Sequence, residues 1–167
     1  MKRTAFVSVA SLLLAVVLLF SACGQSKEPH FRLSADKTEY TPGDEVTVTV
    51  TLNDLKRVAW FDLAVSYDPS QLTLVASEGG SSDAFVLETI DKEGQTVVSG
   101  FSATTYSFTS ETVATLVFTV NDGVSGAVKL NAAPTAIEIG KDDNGDETED
   151  ITSRKDLACA LEFTVAG

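Results

Sequence analysis

Hydrophobic and polar residues alternate with a period of two along most of the chain after residue 30. Val46, Val48, Val50 and Leu52 alternate with threonines, which predicts a β-strand with one buried face. The same spacing predicts three further inward rows: Ala59, Phe61, Leu63, Val65 and Tyr67; Ala114, Leu116, Phe118 and Val120; and Leu157, Cys159, Leu161, Phe163 and Val165. No stretch shows a convincing helical stripe, so we expect an all-β protein.

Shorter strands are predicted between these rows, at 72–76, 85–88, 96–102, 128–130 and 136–139. Turn-forming sequences separate the strands, among them Thr41-Pro42-Gly43-Asp44, Tyr67-Asp68-Pro69-Ser70 and Asn121-Asp122-Gly123. About nine short strands at regular spacing are typical of an antiparallel sandwich or a jelly roll. No internal repeat and no second domain are visible.

The first 22 residues differ in composition from the rest of the chain. Lys2 and Arg3 precede an uncharged, largely apolar stretch at 5–22, which ends in the small residues Ser21-Ala22. This is the pattern of a secretory signal. An uncleaved signal anchor is an alternative, because the 18 residues of that stretch are close to the ~20 that a membrane-spanning helix needs.

The segment Leu19-Phe20-Ser21-Ala22-Cys23 resembles the lipobox of bacterial lipoproteins, in which the cysteine is acylated and becomes the mature N-terminus. Phe20 stands where that motif usually has Leu. The alternative is ordinary secretion with a free thiol. We predict a signal peptide at 1–22, lipidation of Cys23, a short spacer at 23–30 and one domain at 31–167. The chain would then be anchored to the outer face of a bacterial cell membrane.

The net charge and the cysteine content limit which partners and reactions are possible. Beyond the signal the chain has 10 basic and 24 acidic residues, a net charge of −14. Nucleic acid is therefore excluded as a natural partner, because phosphate binding needs a positive surface. Cys159 lies between two leucines and is predicted to be a small buried hydrophobe rather than a reactive thiol.

Several segments of the chain resemble those of a known protein family. Residues 40–50, with a Pro-Gly-Asp turn and a strand, are followed by 58–72, a strand ending in Tyr67-Asp68-Pro69 and then Leu72. These segments, together with 111–120 and 126–130, resemble cohesin modules. The resemblance implies a nine-stranded antiparallel β-sandwich with jelly-roll topology. It also implies a dockerin-type partner, the Ca²⁺-loaded helical tag of secreted polysaccharide-degrading enzymes. Related sandwiches bind polysaccharide directly, and a shared fold does not choose between the two.

Alternation within one strand predicts where binding would occur. If Phe61, Leu63 and Val65 point inward, then Trp60, Asp62, Ala64 and Ser66 point outward. Trp60 is the single tryptophan, and Trp is enriched at interface hot spots; coverage by a loop is the alternative. In cohesins this face contacts the dockerin, and Asp62 matches an Asp that accepts hydrogen bonds from dockerin hydroxyls. Many cohesins have Asn where this chain has Trp60, a departure that leaves room for an apolar anchor or a stacked sugar ring.

The segment 104–110 is a second candidate, because it is rich in hydroxyls and aromatic rings. Tyr106 would belong to the rim of the binding surface. In the alternative interpretation the segment is an ordinary β-connection, and Phe108 packs into the core.

The sequence contains few residues suited to metal binding or catalysis. Acidic and amide residues alternate at 142–150, as in part of a Ca²⁺ loop, but Glu147 stands at the position of the sharp-turn Gly. We predict a hairpin tip at Asn144-Gly145 instead, and no metal site or cofactor. His30 is the only histidine and is assigned to the spacer, so Ser-His chemistry lacks its base. We therefore predict a cell-surface binding module rather than an enzyme.

Overall fold

Nine β-strands account for most of the chain that the structure, a computed structural model, describes: residues 30–82, 85–142 and 147–167. The strands are β1 (Phe31–Ala35), β2 (Glu39–Tyr40), β3 (Glu45–Ser66), β4 (Leu72–Gly79), β5 (Val86–Lys92), β6 (Gln95–Val120), β7 (Gly126–Gly140), β8 (Thr148–Asp150) and β9 (Cys159–Val165). One 3-10 helix, Lys155–Leu157, precedes β9. All pairings are antiparallel except the short one between β2 and β9.

Two long strands, β3 and β6, pass from one layer of the sandwich to the other. Residues 45–53 of β3 pair with the end of β6, whereas residues 58–66 pair with its beginning. The register shifts between Leu55 and Val58, and Asp54 and Arg57 have left-handed backbones with φ of 46° and 57°. Such irregularities bend a strand and increase its twist. The predicted strands on either side of the bend are therefore two halves of one element.

The pairings define two layers. Layer A contains β1, residues 45–53 of β3, residues 108–120 of β6, and β4. Layer B contains β5, residues 95–101 of β6, residues 58–66 of β3, and β7. β9 and β8 pair with opposite ends of β7. The predicted antiparallel β-sandwich is confirmed.

Aromatic rings from both layers meet in the core. Phe61 of layer B is fully buried and lies 5.4 Å from the ring of Phe31 in layer A, 5.8 Å from Phe85 and 6.4 Å from Phe108, between ring centroids. At the other end, the rings of Tyr67 and Phe118 are 4.9 Å apart. These contacts tie the layers together, and edge-to-face or stacked pairs add stabilisation beyond their buried area.

The predicted inward rows are largely confirmed. Every predicted inward residue of 46–52 and 114–120 is buried. Phe61, Leu63 and Val65 are fully buried, but Ala59 is half-exposed. The inward prediction for Ala59 is wrong because the register shifts between Val58 and Trp60, and Val58 takes the buried place.

One predicted connection has a different form in the structure, and another agrees with its prediction. Residues 104–110, a candidate rim of the binding surface, lie within β6 rather than in a connection between strands. Phe108 is buried, as the alternative interpretation of that segment held. The β7–β8 pairing, with Lys141 N donating to Glu147 O at 2.8 Å, is that of the expected hairpin; its predicted tip, Asn144-Gly145, lies outside the described residues.

His30 is attached to the domain, although its sequence position placed it in the spacer. Its backbone N donates to Asp156 O at 2.9 Å, and its carbonyl accepts from Asn53 N at 2.8 Å. Its Nε2 lies 3.1 Å from a guanidinium nitrogen of Arg154 and 3.5 Å from Asp156 Oδ2. Cys23 and the predicted signal lie outside the described residues.

Candidate functional site

The outward side of layer B, here called the outer face, is a grid of side chains set by strand register. Residues directly opposite each other in neighbouring strands lie on the same face of a sheet. Trp60 lies opposite Phe101, which lies opposite Val86. Two residues further along β3, Asp62 begins the next row, and Ala64 the one after it.

We name three rows by their composition. The aromatic row is Val86, Phe101 and Trp60, with Glu138 at its end. The acidic row is Glu88, Ser99 and Asp62, with Ala136 at its end. The alanine row is Ile90, Val97, Ala64 and Ala133.

The aromatic row exposes large apolar groups to solvent. Phe101 is 52% exposed and Val86 48% exposed, and Trp60 beside them is half-buried. In the alanine row Ile90 is 52% exposed. Three of the four exposed large hydrophobic residues within the described ranges therefore lie on this one face; the fourth, Val75, belongs to β4 of layer A. Exposed apolar residues grouped on one face in this way are typical of an interaction site.

Asp62 is held in place at the centre of the acidic row. The Ser99 hydroxyl donates to Asp62 Oδ1 at 2.5 Å, which fixes the carboxylate orientation and leaves Oδ2 outside that hydrogen bond. Glu88, opposite Ser99 on β5, is exposed. The row thus presents two carboxylates, one on each side of Ser99, between two apolar rows, and such groups favour a partner with hydrogen-bond donors or positive charge.

The four predicted residues of β3 lie in one line on the outer face. Trp60, Asp62 and Ser66 are half-exposed. Ala64 is only 8% exposed, because its single methyl group is flanked by Val97 and Ala133 on the adjacent strands. It is nevertheless outside the core cluster. It forms a shallow place in the face rather than a protruding contact.

Tyr106 does not join these four residues. It lies opposite the buried Val58, where β6 changes layer, and is half-buried against the core. Its ring packs 4.9 Å from Phe108 and 6.1 Å from Phe85, between centroids. The structure thus places Tyr106 among core aromatic rings, away from the line formed by Trp60 and Asp62.

Phe101, Val86 and Ile90 were missed from the sequence. The strand 96–102 was predicted without a phase, although buried Val98 and Gly100 put Phe101 on the outward side. Inward Gly100 interrupts the hydrophobic alternation that would have shown the phase. Val86, Glu88 and Ile90 share one face of β5, but the sequence does not state which strands lie next to each other in the sheet.

Outside the outer face, the described residues offer few reactive or metal-binding groups. Burial raises the pKa of the Cys159 thiol to about 11, so this half-buried thiol is protonated at neutral pH. Across 30–82, 85–142 and 147–167, no three His, Cys, Asp or Glu side chains are grouped to hold a metal ion. In the same ranges no helix has the length and apolar character to cross a membrane.

The protein is a jelly-roll sandwich with apolar and acidic rows on one face, a surface suited to recognition of another molecule. The Cohesin domain family model matches residues 31–156. The chain belongs to the cohesin domain family, a family of non-catalytic binding modules.

Solved structures and a curated relative are similar to parts of the chain. The seventh ScaB type I cohesin of Pseudobacteroides cellulosolvens is similar with TM-score 0.63 and 19% identity, over 81% of this chain and 92% of that one. A type I cohesin–dockerin complex from Clostridium thermocellum gives TM-score 0.54 and 14% identity, over 87% and 100%. At these identities the likeness concerns the fold. Cell surface glycoprotein 1 of Acetivibrio thermocellus is 34% identical over 58 residues, which are 35% of this chain and 2% of that protein.

Proposed function

We propose that this protein is a membrane-anchored, cell-surface cohesin that captures a dockerin-type partner through its outer face and serves extracellular polysaccharide degradation. The observation that carries the proposal is the outer face itself. The exposed Phe101 and Val86 form an apolar row with the half-buried Trp60, beside the fixed carboxylate of Asp62. Membership of the cohesin family supports a protein partner, and one of the structurally similar cohesins is in complex with a dockerin.

Location at the cell surface has separate support. Part of the chain is similar to a protein named as a cell surface glycoprotein. The signal pattern at 1–22 and the lipobox-like sequence before Cys23 support export and acylation. Two or more acyl chains anchor stably where one holds marginally. In this proposal the protein acts by holding its partner and performs no catalysis, and it needs no cofactor of its own.

Capture from the secretome of the source organism tests the proposed partner. The mature chain is immobilised and incubated with secreted proteins, in parallel with and without a Ca²⁺ chelator. We expect capture of a dockerin-bearing protein that the chelator abolishes, because the partner's fold depends on Ca²⁺. Capture on insoluble polysaccharide that ignores the chelator would instead favour a carbohydrate-binding module. The absence of capture in both assays would contradict binding of either kind.

Two substitutions on the face connect capture to the proposed site. Trp60→Ala should weaken binding by about thirtyfold or more, since truncation of a central aromatic anchor costs at least ~2 kcal/mol. Asp62→Asn keeps the shape and tests the charge-assisted hydrogen bond. Thr49→Ala, on β3 in layer A, is the control and should bind as wild type. Neither face variant should change the melting temperature; unfolding by Trp60→Ala would show that the tryptophan is structural.

A further inference from the structure

The order of the rows on the outer face carries information about the partner's sequence. Along the strands the face reads apolar, acidic, apolar: the aromatic row, the acidic row and the alanine row. Successive rows are two residues apart, about 6.7 Å along a strand. The whole pattern therefore extends over about 13 Å in the strand direction.

An α-helix lying along the strands matches this spacing. Its residues i, i+4 and i+8 rise by about 6 and 12 Å, and residues four apart lie on the same side of a helix. One side chain from each successive turn would then face one row. Phe101 protrudes from the first row, and the third row combines the exposed Ile90 with a shallow place at Ala64.

The negative charge of the acidic row indicates which partner side chain fits the middle position of the helix. Glu88 and Asp62 flank Ser99 in the acidic row, and Ser99 already occupies Asp62 Oδ1. None of the residues in the three rows is positively charged, and Lys92 lies opposite Gln95, beyond the alanine row. Two carboxylates of one row buried under a partner need positive charge to offset their desolvation, so a basic side chain fits this row.

From this geometry we propose that the outer face selects a helix with the sequence order large apolar, basic, apolar at i, i+4 and i+8. The first residue packs on the aromatic row, the second pairs with Glu88 and Asp62, and the third covers the alanine row. This inference rests on the proposed dockerin binding and specifies which docking helices the chain accepts.

The test uses the mature chain and a panel of Ca²⁺-loaded dockerin modules encoded by the source organism, with affinities measured by titration calorimetry. For the dockerin that binds most tightly, we expect the apolar–basic–apolar order on its docking helix. Phe101→Ala should weaken binding about thirtyfold or more, and Glu88→Lys at least tenfold. Replacing the partner's basic residue by Glu should restore much of the affinity of the Glu88→Lys variant.

Matched controls lie on β4 of layer A. Val75 is an exposed hydrophobic residue comparable to Phe101, at 57% exposure, and Glu78 is an exposed acid comparable to Glu88. Val75→Ala and Glu78→Lys should bind as wild type, and so account for any general effect of lost apolar surface or changed net charge.

The two proposals fail in different ways. If no dockerin of the panel binds the wild-type chain, the proposed function and this inference both fall. If a dockerin binds but Phe101→Ala and Glu88→Lys behave as their controls do, the proposed function stands and the inference is overturned. The inference is also overturned if the charge exchange on the partner gives no recovery.

Discussion

Gly100 is a core position at which a single added methyl group should damage the fold by crowding two aromatic rings. A Cβ at this residue would lie 2.5 Å from Phe61 Cε1 and 2.6 Å from Phe85 Cε1, whereas carbon atoms in good contact are about 3.5–4.0 Å apart. Both rings would have to retreat by about 1 Å. They cannot do so freely, because Phe61 is fully buried and packs on Phe31 and Phe108 as well as on Phe85.

The magnitude follows from two opposing effects of Gly100→Ala. Overpacking of a filled core costs about 1–3 kcal/mol, and the upper end applies because two confined rings must move. Replacing Gly by Ala also restricts the unfolded chain, which offsets about 0.4–1 kcal/mol. We expect a net loss of about 2 kcal/mol in the free energy of unfolding, measured by urea denaturation of the protein produced without residues 1–22.

A second variant identifies the cause of that loss. Phe85→Leu removes ring atoms from the crowded position, so Gly100→Ala should cost less in the Phe85→Leu background than in the wild type. A favourable coupling of about 0.5 kcal/mol or more is expected for residues in contact. Equal midpoints and equal m-values for Gly100→Ala and the wild type would show that the two rings are not packed against this glycine, and would refute the reasoning.

Three further outcomes are expected. Thr96→Val should raise the unfolding free energy by about 1 kcal/mol in urea denaturation, because the Thr96 hydroxyl is fully buried with no hydrogen-bond partner in the described part of the chain; a loss of stability would show that the hydroxyl is satisfied. The Arg154 guanidinium holds the pKa of the Asp156 carboxyl below its ordinary 3.8, so this stabilisation is present above that pH and lost as pH falls through the folded-state pKa. Asp156→Asn should therefore flatten the fall in stability below about pH 4, and an unchanged acid profile would contradict the assignment. Cys23→Ala should release the protein or leave an unprocessed precursor in cell fractionation, and wild-type amounts of membrane-bound mature protein would end the lipoprotein proposal.

Alternation was sufficient to predict the sandwich, because each strand must bury one face and expose the other. Val46 to Leu52 and Ala114 to Val120 follow that rule without exception. The bends were not predictable in the same way. Asp54 and Arg57 adopt left-handed backbones, which the sequence would have marked more clearly with glycine. One long strand therefore had the sequence pattern of two.

The candidate site was predicted only along its own strand. Alternation in β3 put Trp60 and Asp62 on one face, and the structure places both there. Phe101 and Glu88 lie beside them through strand register, and a one-residue change of register would move a whole strand's side chains to the other face. Tyr106 illustrates the converse, since an aromatic residue in a hydroxyl-rich segment packs against the core.

The position of His30 relates the proposed anchor to the proposed binding face. His30 lies opposite Asn53, just before the bend of β3, and Trp60 lies just after that bend. The chain therefore enters the domain at the same end as the aromatic row. If Cys23 carries the lipid, the seven residue steps to His30 span at most about 25 Å, at about 3.6 Å per residue. The aromatic row then belongs to the end of the outer face nearest the tether, and a bound partner helix would place its large apolar residue toward the membrane.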